Sequence, residues 1–380
     1  MFRARRTTSA AAAGLSLAVA LACGDNQKGA SSITGNGPPT GLAACTSPQF
    51  LTVPLLSLSS ISSIVPLGNL NPPSHTFPTD HIYFYMSTSS TIAAPGAVVV
   101  TNVVVQHRTG GGQPNVDDYL VTFFPCADVM LELEHVKSLS VSLSAKVGPI
   151  DGFCQPSYVT GGFTNQQCSK STNVALAAGE AIGVAAGSLD LLARDRRITI
   201  GWVNPTRLSD PTGEYGDKHI ACPIDYFVAS IADQYRAKLG PPGAIRTVAP
   251  VCGEVMLDVP GSASGRWFVP GAPTYPEDVH LALAHDNINP ATAAFSVGTS
   301  IPTLPSGVYS FTPATSGRVN LDFRFVTIIG ETECYTASNN RRVLLQLTSA
   351  TRIRIQGFGT GACGDPSTWV MDAGAVEFER

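Results

Sequence analysis

The sequence predicts a mainly β protein with two β-rich domains joined by one connecting helix. Three observations carry that expectation. Short apolar runs alternate with turn residues from Phe50 to the end of the chain, at the spacing of strands. The 28 prolines and 36 glycines are spread along the whole length, as a strand-and-turn fold requires. One segment, Pro223 to Leu239, breaks the pattern by placing apolar residues at helical spacing.

Taken in order, residues 1–22 read as an export signal. Arg3, Arg5 and Arg6 form a basic start, and an uncharged Ala- and Leu-rich stretch follows from Thr7 to Ala22. That stretch is short for a membrane span and runs straight into polar sequence. Its end, Val19-Ala20-Leu21-Ala22-Cys23, resembles a lipobox, which implies cleavage before Cys23 and lipid on that cysteine. The expected partner is therefore a membrane, reached through lipidated Cys23, in the cell envelope. Gly24 in place of an acidic residue favours the outer membrane, with plain secretion as the alternative. Residues 23–49, rich in Gly, Ser, Thr, Asn and Pro, read as a flexible tether.

Charge and cysteine usage agree with export. Loss of Arg3, Arg5 and Arg6 takes the formal net charge from −4 to −7, and only 14% of residues are charged. Such a chain is a poor nucleic-acid binder. Of nine cysteines, Cys23 aside, eight remain, and an even number in an oxidising compartment suggests four disulfides. Pairing is not fixed by sequence, although closeness favours Cys154–Cys168 and Cys334–Cys363. No C-x-x-C pair is present, so zinc-ribbon and thioredoxin-type chemistry lack support.

Residues 50–220 form the first expected β domain, with strands such as His81–Met86, Tyr119–Phe124 and Val129–Glu134. In the last of these, Val129, Leu131 and Leu133 share one face. Residues 221–245 supply the helix and linker: Pro223 suits a first helical turn, and Gly240-Pro241-Pro242-Gly243 ends it. Residues 246–380 form a second, sandwich-like β domain, with strands at Val308–Phe311, Val319–Phe323, Val343–Leu347 and Arg352–Ile355.

Histidine is scarce, at seven residues, so its placement is informative. His75 and His81 lie in a Pro-rich segment leading into a strand, and His135 closes another strand in Glu134-His135-Val136. A Gly-rich stretch from Val174 to Gly187 then leads to Ser188-Leu189-Asp190. Each residue also has an ordinary reading: His75 as a turn residue, His135 as a hydrogen-bonded core histidine, and Asp190 as turn chemistry.

The order of these landmarks resembles the lysostaphin-like (LytM-like) zinc endopeptidases that cleave peptidoglycan. The His75–His81 segment stands where that family has an early ligand pair, and Ala94-Pro95-Gly96-Ala97-Val98 is similar to its P-x-G-x-V strand. Glu134-His135-Val136 with Leu139 is similar to a Y-x-H-L strand end, and Val174 to Gly187 to its Gly-rich stretch. The resemblance covers roughly residues 65–200. It implies an N-terminal β-barrel of the duplicated hybrid motif type and a zinc site. The family's H-x-H strand is replaced here by Ser188-Leu189-Asp190, so both of its histidines are missing. His75 and Asp80 are also separated by four residues rather than three.

The ligand set that the departures leave is His75, His81 and Asp190, with His135 beside the open coordination position as the catalytic candidate. Two imidazoles and one carboxylate leave a fourth place for water, as a hydrolytic zinc needs. The expected function is a cell-envelope lipoprotein whose degenerate metallopeptidase-like domain binds or braces near peptidoglycan or an envelope protein. An active zinc-dependent peptidoglycan hydrolase is one alternative, and a structural or adhesion lipoprotein is another. In the C-terminal half, Ser262 has the small-residue surroundings of a nucleophile but lacks a Gly-x-Ser-x-Gly arrangement, and His285 stands beside Asp286 at a strand end. Loop anchoring suits His285-Asp286 better, and core packing suits Trp267, Trp369 and Tyr309 better than a glycan surface.

Overall fold

The computed structural model describes residues 37–110, 116–160, 163–208, 210 and 212–380. Cys23, the signal-like segment and most of the expected tether lie outside these residues. The fold is mainly β, built from antiparallel sheets, and none of the sheets closes into a barrel. The barrel implied by the family resemblance is therefore replaced by an open sheet.

The N-terminal sheet has ten strands: β1 (Ile61–Val65), β2 (His81–Met86), β3 (Ser90–Ala93), β4 (Val98–Gly110), β5 (Val116–Cys126), β6 (Val129–Leu139), β7 (Tyr158–Thr160), β8 (Phe163–Leu176), β9 (Ala181–Asp195) and β10 (Ile220–Ala221). Its order is β1-β2-β9-β6-β5-β4-β8-β7, with β3 and β10 both paired to β9. Strand β9 thus sits inside the sheet, between β2 and β6. Its odd-numbered residues Leu189, Leu191 and Ala193 join Leu131 and Leu133 of β6 in the main core, which runs from Leu51 to Val255.

The opposite face of β6 and β9 carries polar residues and is nevertheless buried. Met130, Glu132 and Glu134 are each under 9% exposed, as are Asp190, Leu192 and Arg194. Period-2 alternation places Val129, Leu131 and Leu133 on one face as expected, but the other face does not meet water. The irregular segment after β9 covers it. Tyr215 packs edge-on against Phe124 at 5.1 Å and its hydroxyl donates to the carbonyl of Ala127. A small cluster of Phe124, Met130, Leu192 and Tyr215 fills this second layer.

Two α-helices are present among the described residues, one more than the sequence suggests. The first, α1 (Val141–Val147), is capped by Ser140, whose side chain accepts from the amide of Leu143 at 3.1 Å. The second, α2 (Ala229–Arg236), is shorter than the 223–239 pattern predicts. Pro223–Tyr226 forms a separate 3-10 turn, because Phe227 and Val228 are drawn into strand-like pairing with Leu51. Val228 donates to the Leu51 carbonyl at 2.9 Å, which leaves its backbone extended and breaks the helix there.

The C-terminal lobe stacks two four-stranded antiparallel sheets. One is β11 (Gly265–Trp267), β12 (Leu281–His285), β13 (Ala293–Val297) and β14 (Gly307–Phe311); the other is β15 (Thr332–Ala337), β16 (Arg341–Ser349), β17 (Arg352–Thr360) and β18 (Val376–Glu379). They share one core, centred on Phe295, Phe311, Phe323 and Tyr335, whose ring centroids are 4.9–5.7 Å apart. Trp267, Trp369 and Tyr309 are all buried, so they pack rather than offer a sugar-binding surface.

Four disulfides join Cys45–Cys126, Cys154–Cys168, Cys222–Cys252 and Cys334–Cys363. The first corrects the reach of the tether. Cys45 also donates its amide to Asp128, and Ala127 donates to the carbonyl of Ala43. Residues 43–45 are thus fastened to the sheet despite their linker-like composition.

The lobes are docked by direct contacts. Asn287 donates to the Pro66 carbonyl at 2.8 Å, and the Phe77 amide donates to Glu277 at 2.6 Å. Phe77 packs on Phe268 and His280 at 5.0 and 5.3 Å, forming a small aromatic seam between the lobes.

Candidate functional site

The buried polar face of β2, β9 and β6 brings the predicted residues together. His81 opens β2, Asp190 lies mid-β9, and Glu134 and His135 lie in β6. Asp190 is register-paired with Tyr83 on one side and Glu134 on the other, so three polar side chains share one row. Strict alternation would send His135 to the apolar core face. It does not go there, because the β6–β9 ladder is irregular at this point, with extra residues on β9. Glu134 pairs with Asp190 and Val136 with Ala185, and His135 between them adopts φ 65°. The left-handed backbone turns consecutive side chains toward the same side, a strained arrangement for a non-glycine residue. As a result, ligand atoms of Glu134, His135 and Asp190 lie within 4.8 Å of one another.

The two imidazoles approach Asp190 alike. His81 Nε2 and His135 Nε2 are each 3.5 Å from Asp190 Oδ2. Each ring is oriented from behind by another carboxylate. His81 donates its Nδ1 proton to Asp80 at 2.9 Å, and His135 donates its Nδ1 proton to Asp118 at 2.7 Å. A carboxylate can only accept, so both rings carry a proton on Nδ1, and Nε2 is the atom turned toward Asp190. Asp80 is itself held by Arg194 at 2.7 Å, and Arg194 also pairs with Asp217 at 3.0 Å.

Electrostatics reflect the crowding of charge. Burial pushes the Asp190 carboxyl up to about 6, with Glu134 adding to the effect and His81 and His135 opposing it. Burial works against the charged form of His135, but its bond to Asp118 and the charges of Asp190, Asp118 and Glu134 win, taking it up to about 10. His81 moves the same way: burial opposes, and Asp80 with Asp190 and Glu134 outweighs it. Both imidazoles thus favour the protonated form more than a free histidine does, beside a buried carboxylate.

The residues also fit a metal ion. Two donors each about 2.0–2.1 Å from a tetrahedral zinc lie roughly 3.3 Å apart, close to the spacing seen here. His81 Nε2 and Asp190 Oδ1 are buried with no hydrogen-bond partner. A carboxylate on the rear nitrogen of each imidazole is the usual support of a metal-binding histidine. The ions that suit imidazole and carboxylate donors are of the zinc class. Glu134, His135 and Asp190, whose ligand atoms lie within 4.8 Å of one another, would hold the ion, with His81 beside them, 3.5 Å from Asp190.

The expected residues therefore converge, with changed roles. His135, singled out for catalysis, stands as symmetrically to Asp190 as His81 does. His75 is more peripheral: its ring lies 5.5 Å from that of His81, and its Nδ1 is 3.9 Å from Glu277. Glu134, Asp118 and Arg194 were not anticipated as site residues. The adjacent pairs Asp80-His81 and Glu134-His135 were the sequence signal, since an acid beside a histidine is the raw material of such a network. Elsewhere, His285 bonds the Pro290 carbonyl at 2.6 Å and Asp322 at 3.2 Å, an anchoring role. Ser262 Oγ donates to the Val259 carbonyl and accepts from the Ser264 amide, which makes it a turn residue.

A cavity of about 80 Å³ opens next to this cluster, at the junction of the lobes. His75, His81 and Glu134 contribute from the N-terminal lobe, and Arg266, Tyr275 and Glu277 from the C-terminal lobe. No family model, no curated protein and no solved structure matches the chain, so nothing in these comparisons identifies the lysostaphin-like family. Among the described residues, no helix is long and apolar enough to cross a membrane.

Proposed function

We propose that this chain is an exported, disulfide-stapled envelope protein whose N-terminal sheet carries a mononuclear zinc-class metal centre. The observation that carries the reading is the convergence of Glu134, His135 and Asp190 within 4.8 Å, with the His135 imidazole backed on Nδ1 by Asp118 and presenting Nε2 3.5 Å from Asp190. Bound metal would offset the charge of the Asp190 and Glu134 carboxylates and cross-link β6 to β9. That supports a binding or bracing module. Export is supported by the signal-like N terminus and by four disulfides, which persist outside the reducing cytosol. Anchoring through Cys23, in the outer membrane near peptidoglycan, belongs to the same proposal and rests on the lipobox-like residues.

Metal analysis of protein purified without chelator tests the centre, followed by titration with zinc or cobalt. Stoichiometric metal that is lost in His135→Ala and Asp190→Ala is the expected result. Wild-type protein that takes up no stoichiometric metal would remove the reading. Sedimentation with purified peptidoglycan tests the wall partner separately.

A second reading, a zinc-dependent hydrolase, is favoured by one observation. Glu134 both belongs to the cluster and lines the adjoining cavity, so a bound ion would lie beside a space open to a small ligand. A metal at this site would supply Lewis acidity and a more acidic bound water. Hydrolysis of peptidoglycan fragments that is lost with EDTA and restored by zinc would separate this reading from the first.

A further inference from the structure

The wall of the inter-lobe cavity contains a cation with no ionic partner. Arg266, at the centre of β11, is only 8% exposed. Its guanidinium carbon lies 3.8 Å from the centroid of the Trp202 ring and 5.3 Å from that of Phe77. Its Nε is buried without a hydrogen-bond partner, and among the described residues no carboxylate pairs with it. Stacking on an aromatic face positions the plane of the fork but leaves its Nε–H unsatisfied. A buried cation in this state costs folding free energy, so its retention calls for a counter-group from outside the chain.

The other charges of the cavity narrow the class of ligand. Asp80 and Asp217 are engaged by Arg194, Glu277 accepts from the Phe77 amide, and Glu134 and Asp278 also line the cavity, with Asp278 Oδ1 buried and unpartnered. These carboxylates still make the surroundings negative. A dianion such as phosphate would meet more repulsion than a singly charged carboxylate would. The planar fork of arginine also matches a carboxylate edge with two parallel hydrogen bonds. A cavity of about 80 Å³ admits a small group, not a folded partner.

We infer that the inter-lobe cavity binds a small carboxylate-bearing ligand, with its carboxylate on the guanidinium of Arg266. Arg266 comes from the C-terminal lobe and the metal-type cluster from the N-terminal lobe, so this inference does not depend on the metal reading. The ligand would lie between the two lobes with His81 and Glu134 on its far side.

The test titrates the whole mature protein with sodium acetate or propionate against sodium chloride at matched ionic strength. Emission from Trp202 and calorimetry serve as readouts. A saturable response to carboxylate and not to chloride is expected, weakened at least about tenfold in Arg266→Met and Arg266→Gln. Because the guanidinium has no ionic partner, thermal stability of these variants should stay level or rise. If Arg266→Met fails to fold, Arg266→Gln decides. No saturable response at millimolar acetate or propionate overturns the inference, as does unchanged affinity in a folded variant. Tighter binding of inorganic phosphate overturns the assignment to a carboxylate. Repeating the titration after treatment with EDTA separates the two proposals: binding that persists supports Arg266 as the anchor. Binding that vanishes and returns with zinc places the carboxylate on the metal instead and overturns the inference.

Discussion

His135 donates Nδ1–H to Asp118 at 2.7 Å, across the antiparallel pair formed by β6 and β5. The bond fixes the tautomer and, with φ 65° at His135, aims Nε2 at Asp190. Removing the acceptor should loosen the ring without removing a ligand. Asp118→Asn is therefore expected to weaken metal binding about 10- to 100-fold, the usual effect of losing a carboxylate behind a metal-binding histidine. Competition for zinc against a chromophoric chelator measures it. Wild-type affinity in the variant would show that Asp118 does not orient the ring.

On the other side of the site, Arg194 ties Asp80 and Asp217 together while buried. Burial disfavours its charge, yet Asp217, Asp80 and Glu132 together hold its pKa above the ordinary arginine value. Arg194→Met would take the shared cation from Asp80 and Asp217 under the covering segment. A loss of about 3–5 kcal/mol in unfolding free energy is expected, read from urea denaturation. The conservative Arg194→Lys should recover only part, since a single ammonium cannot reproduce the fork. Full stability in Arg194→Met would show that the face is wetter than its burial implies.

Much of the fold was legible because strands and turns announce themselves. Alternation in Val129–Glu134 and the run of His81–Met86 mark strands that exist. The site was half legible: His81, His135 and Asp190 stand out as chemistry-bearing residues, but nothing local shows that β9 lies between β2 and β6. The bulge was the least visible part. Alternation assigns His135 to the core, and only the pairing of Glu134 with Asp190 and Val136 with Ala185 reveals the extra residues in β9. The helix was overextended for a similar reason, since pairing with the distant Leu51 overrides the local spacing at Val228. In each case a long-range backbone partner decides what the local pattern leaves open.

In the C-terminal lobe, Glu333 of β15 links stability to pH. Burial, with help from Glu331 and against Arg318, pushes this carboxyl from its ordinary 4.5 up to about 7, and its Oε2 has no partner. Between those values the folded chain holds a proton that the unfolded chain has released. Stability contributed by the neutral form is thus complete below pH 4.5 and falls as pH rises toward 7. Glu333→Gln should remove that slope and raise stability at neutral pH by about 1–2 kcal/mol, allowing for solvent screening. Thermal melts from pH 4 to pH 8, roughly the span over which the shifted carboxyl titrates, check this. A parallel pH profile in the variant would sink it.

The disulfide from Cys45 to Cys126 closes a loop with a sequence separation of 81, the longest of the four. Chain entropy makes such a link worth roughly 4 kcal/mol, whereas Cys154–Cys168, with a separation of 14, is worth roughly 3 kcal/mol. The difference between the two is small in that account, but their surroundings differ. Cys126 is buried at the end of β5, and the Cys45 amide also holds Asp128, which in turn pairs with Arg196 at 3.0 Å. The double variant Cys45→Ser/Cys126→Ser should thus lose more than the entropic contribution, because Asp128 loses a donor and residues 43–45 come away from the sheet. The pair Cys154→Ser/Cys168→Ser should lose no more than the entropic part. Urea unfolding of both double variants under non-reducing conditions makes the comparison, and equal losses would mean that the link at Cys45 does nothing beyond shortening the unfolded chain.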